Sequence, residues 1–517
     1  MTSNLLAFSR ENQTSCHMAS VQPWSSVQTP PRQIYQPQLK EAPLPVLKVA
    51  IAGGGPVGLS LALLLDQLMG KQVEIQVFDH RWRNQGDSVV WKTEAEGNMR
   101  RQQVVTIQSR QYSALGSEVQ DAVFHPDWCT QMWPPGAECL PGKNPLNIPI
   151  ARLEDKLLAI AGSKRSIQLV AQRFHPAQLG LAETSPPHVL AICEGARSEM
   201  NGTMSHFKHK FGLPDKTMYS HKGRHFEDVV LGLRVKSELS DPAAVLLTVS
   251  QNRYLLNAVR GEGFLNMRLT EGEARSLRRV EAGTNIPASS IKPALWERIQ
   301  EGLKLFEVKP ENLSAIVMFR ISMIQRPRFS AELVHNSAAG HGTFGFLLGD
   351  TANAIHFWPG RGLNSGLSSA ISLAHCLKQH WQGRPLRDAD FLRHEAVMSM
   401  LQYRHKTRAW RHMVTTNAQG EPLPINQKIH QALKIRSCGR NEQVDTLNEM
   451  MLRLCQVRHR LSKRIAGMPK DEFLRQHLST LSLSTLRVML HSGAWDTAQT
   501  GGEEVNASEF HGLYGWA

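Results

Sequence analysis

The sequence predicts an α/β protein (α+β overall): a parallel sheet wrapped by helices, an antiparallel sheet inserted into it, and a helical C-terminal region. Three observations lead there. Lys48 to Ala52 is an apolar β-type run that passes directly into Gly53-Gly54-Gly55-Pro56-Val57-Gly58 and then into Leu59 to Leu68, an apolar stretch of helical length. Phe344 to Leu348 is a second such run. It passes into Gly349-Asp350 and, after a glycine-rich turn, into Ser368 to Leu377, rich in alanine and leucine. Between these two strand–turn–helix units lie short apolar runs separated by turns, the pattern of a meander.

The first unit carries G-x-G-x-x-G in the context that gives the motif meaning, with a strand before it and a helix after it. Gly53 allows the tight turn, Gly55 lets the backbone approach a pyrophosphate, and Gly58 lets helix and strand pack closely. Pro56 and Val57 lie between those glycines. Val73 to Phe78 reads as the second strand and ends at Asp79, where a carboxylate can bind the ribose hydroxyls of an adenine dinucleotide. The interval from Gly53 to Asp79 exceeds the usual ~20 residues, an excess that the loop around Gly70 and Lys71 absorbs. In the second unit, a helix entered through Gly362-Leu363-Asn364 offers unpaired N–H groups and a positive dipole end. Such an end suits a flat, electron-rich group that must hold negative charge.

Composition sets bounds. The chain has 517 residues, enough for two or more domains, with 41% hydrophobic and 20% charged residues, as in globular proteins. Seven cysteines are scattered without a C-x-x-C pair. That argues against zinc and a disulfide framework, and for a reducing, cytoplasmic setting. Val46 to Met69 is the longest apolar segment, but its glycine cluster and Pro56 favour a dinucleotide turn over a membrane span. The first residues lack the features of a secretory signal. The net charge of +14 is most visible after residue 400, as in Tyr403 to His412 and Arg453 to Lys470. No nucleic-acid motif accompanies it, so the reading is a solvated helix face or a patch for an acidic cofactor, carrier or protein partner.

Along the chain, residues 1–45 are rich in Ser, Gln and Pro and read as a disordered tail. Arg100-Arg101 precedes a strand-like run to Ile107, and Ala151 to Leu158 opens a helix. Trp128, Trp133, Pro134 and Pro135 lie in a loop-like stretch that either covers a pocket or packs as an insertion. His188 to Ile192 reads as a strand. Val229 to Val235, Ala244 to Val249, Tyr254 to Ala258, Gly263 to Leu269 and Ala315 to Arg326 read as strands of the meander, with Pro293 to Leu305 a helix crossing between them. Gly340 to Gly345 also spells G-x-G-x-x-G, but it precedes a strand and opens no helix, so it is rejected as a second dinucleotide site. Asp388 to Met400 and Leu447 to Ile465 show helical spacing, with Phe391, Val397 and Met398 as core positions.

The two glycine units in this order resemble single-component FAD-dependent monooxygenases, the p-hydroxybenzoate hydroxylase-like enzymes. Phe357-Trp358-Pro359 and Val89-Val90-Trp91 are nearest to the MICAL-type branch. The resemblance covers roughly residues 46 to 380. It implies a Rossmann-like FAD-binding domain at 46–200 and 331–384 and an inserted substrate domain at 201–330 whose sheet roofs the substrate pocket; the region at 385–517, beyond the resemblance, reads as helical from its spacing. It also implies that Arg101, or Arg100, approaches the FAD phosphates, and that Arg152 lies near the ribityl-phosphate. Asp350 would accept a ribityl hydroxyl, and Gly360, Gly362, Leu363 and Asn364 would meet the ring's N1/C2=O edge. His356, Trp358 and Pro359 would flank the flavin as catalytic-side residues. Cys193-Glu194-Gly195 is similar to the family's Asp-Gly motif, with glutamate in place of aspartate.

The activity so implied is reduction of FAD by NADPH or NADH, addition of O2 at C4a, and transfer of one oxygen atom to a small aromatic, heterocyclic or carbonyl-containing substrate. Hydroxylation and insertion beside a carbonyl both stay open. So do a flavin dehydrogenase that inserts no oxygen and MICAL-type oxidation of a protein side chain. The absence of a Trp-x-Trp-x-Ile-Pro segment counts against a flavin halogenase.

Overall fold

Apolar runs bounded by glycine or proline set the strands. In chain order they are β1 (Leu47–Ala52), β2 (Val73–Phe78), β3 (Trp82–Gln85), β4 (Ser88–Trp91), β5 (Val104–Ile107), β6 (Leu146–Pro149), β7 (Ile167–Val170), β8 (Val189–Ile192), β9 (Ser220–His221) and β10 (Arg224–His225). They continue as β11 (Glu227–Lys236), β12 (Tyr254–Val259), β13 (Glu262–Arg268), β14 (Leu313–Ser322), β15 (Ser330–Asn336), β16 (His341–Leu347), β17 (Val414–Thr416) and β18 (Pro422–Pro424). This is a computed structural model. It describes residues 45–136, 139–180, 186–196, 202–213, 220–221, 223–225, 227–323, 325–336, 340–354, 361–436, 439 and 441–495. All of them belong to one unit, Leu44–Ala517. The tail expected at 1–45 lies outside the described residues, except for Pro45.

The six-stranded sheet has the order β15-β16-β8-β1-β2-β7. Every neighbouring pair is parallel except the edge pair β15–β16. β1 is covered on both sides and reads as a nearly continuous apolar run for that reason. The register has a functional consequence. Ala52 pairs with both Phe78 and Ile192, Phe78 with Val170, and Ile192 with Leu347. The carboxyl ends of five strands therefore lie in one row. The chain leaves β1 toward β2 on one side, whereas β8 and β16 lie on the other. That reversal beside β1 is the switch point where open α/β sheets bind ligands.

The helix Pro56–Met69 begins with proline at its first turn, a position that needs no N–H donor. It is buried almost all round, including Leu59, Leu61, Leu64 and Leu65, because it packs against both Ile150–Gly162 and Arg361–His380. The rejected glycine motif forms the turn at Gly340 and the body of β16, as its position ahead of a strand implied.

A four-stranded antiparallel sheet, β12-β13-β11-β14, occupies the segment between. One expected strand is absent from it. Ala244 to Val249 lies in the helix Asp241–Val249, whose residues from Ala243 onward are buried. A short run that is apolar on every side has no periodicity to separate helix from strand. The start signal was Ser240 followed by Asp241-Pro242. Pro293–Leu305 is helical as expected. The helices Glu442–Leu461, Asp471–Ser479 and Leu483–Ser492 share their apolar core with this sheet. Phe391, Val397 and Met398 belong instead to the core of the parallel sheet. They lie on a short 3-10 turn (Asp388–Phe391) followed by the helix Leu392–Met413, not on one helix from Asp388. Among the described residues no helix is long and apolar enough to cross a membrane.

Candidate cofactor and active site

The row of strand ends delivers four loops to one place. Gly53 follows β1, Asp79 follows β2, Cys193 and Glu194 follow β8, and Gly349-Asp350 follows β16. The backbone ties them together. Gly53 N–H donates to the Phe78 carbonyl at 2.8 Å, Cys193 N–H to Ala52 at 2.7 Å, and Leu348 N–H to Ile192 at 3.1 Å.

The glycines do what their spacing predicts. Gly53 has φ +109°, and a Cβ there would lie 2.6 Å from the Cys193 carbonyl. A Cβ on Gly58 would lie 2.0 Å from the Gly53 oxygen, so helix and strand meet only because it is absent. Gly54, which has no role in the motif reading, is pressed onto the buried Trp82 ring, where a Cβ would lie 2.0 Å from ring carbon. Gly55 differs from all three. A Cβ there would meet only the Arg81 and Arg101 guanidinia, each at 3.6 Å. The backbone at Gly55 is thus open on a face bordered by two cations, as an anionic diphosphate requires.

Those guanidinia belong to a cluster that the motifs do not reveal. Asp79 is 4% exposed, and both of its oxygens are engaged. Oδ2 accepts from Gly54 N–H at 2.9 Å and from Arg81 Nη2 at 2.7 Å. Oδ1 accepts from Arg81 N–H at 2.8 Å and from Arg81 Nε at 3.1 Å. Burial pushes the Asp79 carboxyl up, but the bonds and charge of Arg81 outweigh it and hold the group below its ordinary value. Asp79, the expected ribose ligand, also braces the glycine loop through Gly54 N–H and pairs with Arg81.

Beyond Arg81 stands Glu154, 1% exposed. It receives Arg101 Nη2 at 2.6 Å, Arg81 Nη1 at 3.3 Å and Arg100 Nη2 at 3.5 Å. Trp91 lies 4.9 Å from the Arg81 guanidinium and 4.5 Å from that of Arg100. Glu154 escaped the motif reading, although a signal existed. It occupies the inward stripe of its helix with Ala151, Leu157, Leu158 and Ala161, and a carboxylate on a buried stripe requires cations. Arg152, expected near the ribityl-phosphate, is exposed instead, with its guanidinium 5.8 Å from the Trp128 ring. Two helical positions separate the exposed Arg152 from the inward Glu154.

The second motif meets the first at Val57. A Cβ on Gly366 would lie 2.5 Å from Val57 Cγ2, and one on Gly349 would lie 3.2 Å from the same atom. Gly349 N–H donates to Ser369 Oγ at 3.3 Å, and Thr351 Oγ1 donates to the Gly195 carbonyl at 3.1 Å. Asp350 is exposed by area, yet the protein around it is dense enough that burial raises its carboxyl above the ordinary value, with the Arg101 charge opposing. Arg101, which faces the open side of Gly55, is thus also the cation whose charge acts on Asp350.

The helix Arg361–His380 starts earlier than its alanine-rich core suggested, so Gly362 and Leu363 sit in its first turn. Asn364 is 2% exposed. Its Oδ1 accepts from Gln108 N–H at 2.8 Å, and its Nδ2 donates to the Thr106 carbonyl at 2.7 Å. The Asn364 side chain, whose backbone was the part expected to face the ring, is thus a peg that fixes the helix start against β5. That strand continues into a buried polar network. Thr106 Oγ1 donates to Asn147 Oδ1 at 2.8 Å, while Asn257 on β12 accepts from Asn147 Nδ2 at 2.9 Å and from Trp133 Nε1 at 2.6 Å. The Trp133 loop is therefore packed, and it joins the antiparallel sheet to the helix start. His356, Trp358, Pro359 and Gly360 lie outside the described residues. Glu194 accepts from Thr203 N–H at 2.6 Å and caps the helix Thr203–Phe211. Among the described residues no group of three or more His, Cys, Asp or Glu is placed to hold a metal ion.

No protein-family model matches the chain, and no curated protein does. Solved structures do align with it. They include a mutant of P. aeruginosa PqsL, at 13% identity over 70% of this chain and 94% of that one, with a TM-score of 0.45. p-Nitrophenol 4-monooxygenase PnpA from Pseudomonas putida DLL-E4 aligns at 12% identity over 84% of this chain and 97% of that one, with a TM-score of 0.44. 2-Methyl-3-hydroxypyridine-5-carboxylic acid oxygenase aligns at 14% identity over 70% of this chain and 91% of that one, with a TM-score of 0.42.

Proposed function

We propose that this chain is an FAD-dependent monooxygenase that uses NADPH or NADH and O2 to oxidise a small organic substrate. The observation that carries the reading is the convergence at Val57 of two segments far apart in sequence, Gly53 to Gly58 and Gly349 to Gly366, with Arg81 and Arg101 facing the open side of Gly55. The first segment brings open backbone and cations, and the second a carboxylate, Asp350, and the first turn of a long helix. FAD has the complementary ends: a diphosphate, a ribityl chain of hydroxyls, and a ring that gathers negative charge when reduced.

When bound, the flavin would supply the two-electron redox chemistry and the activation of O2. The chain's own residues would orient and shield it. Gly55 and its neighbouring N–H groups, with Arg101 and Arg81, would hold the diphosphate. Asp350 would accept a ribityl hydroxyl. The first-turn N–H groups of Gly362 and Leu363 would face the ring's N1/C2=O edge, where a helix end contributes about 0.3–1 kcal/mol when exposed and up to ~2 kcal/mol when partly buried. The antiparallel sheet would roof the substrate space. His356, Trp358 and Pro359 stay proposed as ring-flanking residues from their position between Ala354 and Arg361 in the sequence. Nothing in the structure favours the MICAL-type branch or a docked carrier. The basic C-terminal helices have a packing role against the antiparallel sheet.

The test is purification followed by a substrate panel. The protein should be yellow, and release of the chromophore should yield FAD. NAD(P)H oxidation should couple to substrate, and label from 18O2 should enter the product. A colourless preparation that ignores added FAD defeats the proposal, and turnover without label in product converts it to a flavin dehydrogenase.

A further inference from the structure

The arginines around Glu154 are not equivalent. Arg81 has a second carboxylate, Asp79, at 2.7 Å. Arg100 has Asp155 at 2.8 Å and also donates to the Ala151 carbonyl at 2.8 Å. Both lie within cation–π reach of Trp91. Among the described residues Arg101 has Glu154 as its one ion-pair partner. Its side chain is 45% exposed, against 26% for Arg81 and 20% for Arg100. It is also one of the two guanidinia that face the open side of Gly55.

From this asymmetry we infer that Glu154 is a positioning residue that stands in for the ligand's diphosphate: it holds Arg101 until the anion arrives, and Arg101 then exchanges Glu154 for a phosphate oxygen. The inference rests on the FAD reading above. The exchange is inexpensive because Arg101 can leave without stranding a buried charge. Glu154 keeps Arg81 at 3.3 Å and Arg100 at 3.5 Å, whereas a buried carboxylate left with no cation would be strongly unfavourable. Arg81 and Arg100 cannot play this part, since each is held at a second point. The carboxylate and the diphosphate therefore compete for one guanidinium. A competitor of this kind keeps the empty site folded and lowers its affinity for the anion.

The test compares full-length wild type, Glu154→Gln and Arg101→Gln after FAD has been stripped. FAD affinity is read by fluorescence at several salt concentrations, and thermal midpoints are read with and without FAD. Glu154→Gln should melt earlier when empty yet bind FAD roughly tenfold tighter, the worth of one charge-assisted hydrogen bond. A merely structural role for Glu154 would leave affinity unchanged or weaken it, and either result overturns the inference. Arg101→Gln should bind FAD roughly tenfold more weakly, with a shallower dependence on salt. If Glu154→Gln does not fold, this second variant decides, and unchanged affinity overturns the exchange. Wild type that takes up no FAD at all defeats the functional reading itself, which separates that failure from this one.

Discussion

The two glycine units are held by different materials. At the Gly55 end, positions are set by charge: Asp79, Glu154 and Asp155 hold three arginines, and the glycine loop hangs on the same network through Gly54 N–H. At the helix end, positions are set by neutral groups. Asn364 bridges Thr106 and Gln108, Gln111 Nε2 donates to Ser368 Oγ at 2.9 Å, and Ser369 receives Gly349 N–H. The difference fits what each end would bind on the proposed reading. A diphosphate carries full charge and rewards cations that can change partners. A ring that becomes negative during the reaction rewards fixed dipoles that need no reorganisation. Charge networks tolerate exchange, whereas amide pegs do not.

The largest effect should come where neither material can adjust. Gly58→Ala places a Cβ 2.0 Å from a backbone oxygen, so it should cost about 3 kcal/mol and abolish FAD retention, read by chemical denaturation and absorbance. The next tests the neutral end. Asn364→Ala leaves the Gln108 N–H and the Thr106 carbonyl without their partner. It should cost about 2 kcal/mol and slow turnover in proportion to lost flavin alignment. Asp350→Ala should weaken FAD binding roughly tenfold. Glu194→Ala removes a cap on Thr203, costing about 1 kcal/mol of stability with FAD affinity unchanged. Equal losses of affinity would place Glu194 in the site and blur the contrast between the ends.

A smaller effect should appear at the opposite, amino ends of the same strands. His188 Nδ1 accepts from Lys48 N–H at 3.0 Å, and its ring stacks on His341 with centroids 4.2 Å apart. Burial, with the charges of His341 and Lys48, lowers its value from 6.5 to about 4. The unfolded chain therefore binds more protons than the folded one between those values. Stability from this group is present above pH 6.5 and is lost as pH falls toward 4. His188→Asn should flatten a thermal-midpoint profile in that window without altering FAD affinity. The smallest effect belongs to Arg152→Ala. Its exposed contact with Trp128 is worth about 0.5 kcal/mol, and FAD retention should not change.

Much of this was readable from local pattern. Strand, glycine turn and helix at 47–69 announce themselves by their order and spacing, although only Gly58 answers a steric demand made within a few residues of it, while Gly53 and Gly54 make room for Cys193 and Trp82. The inward position of Glu154 was present in the helical spacing, but the reason for a carboxylate there was not. Arg81, Arg100 and Arg101 come from other elements, and no local rule assembles them. Ala244 to Val249 was misread because uniform burial erases periodicity, and Arg152 came from the resemblance at the helix start, which does not fix the face: that turns by about 100° per position.

What the residues determined by themselves was chemistry bound to short range: a turn that only glycine can make, a helix with an open N-terminus, an apolar run that must be covered. Tertiary structure alone decided which distant groups would meet. Asn364 finds Thr106 and Gln108 more than 250 residues away, and Glu154 finds its three cations. Hydrogen bonds and ion pairs act over a few ångströms, so their partners are chosen by the way the sheet, the helices and the loops pack together.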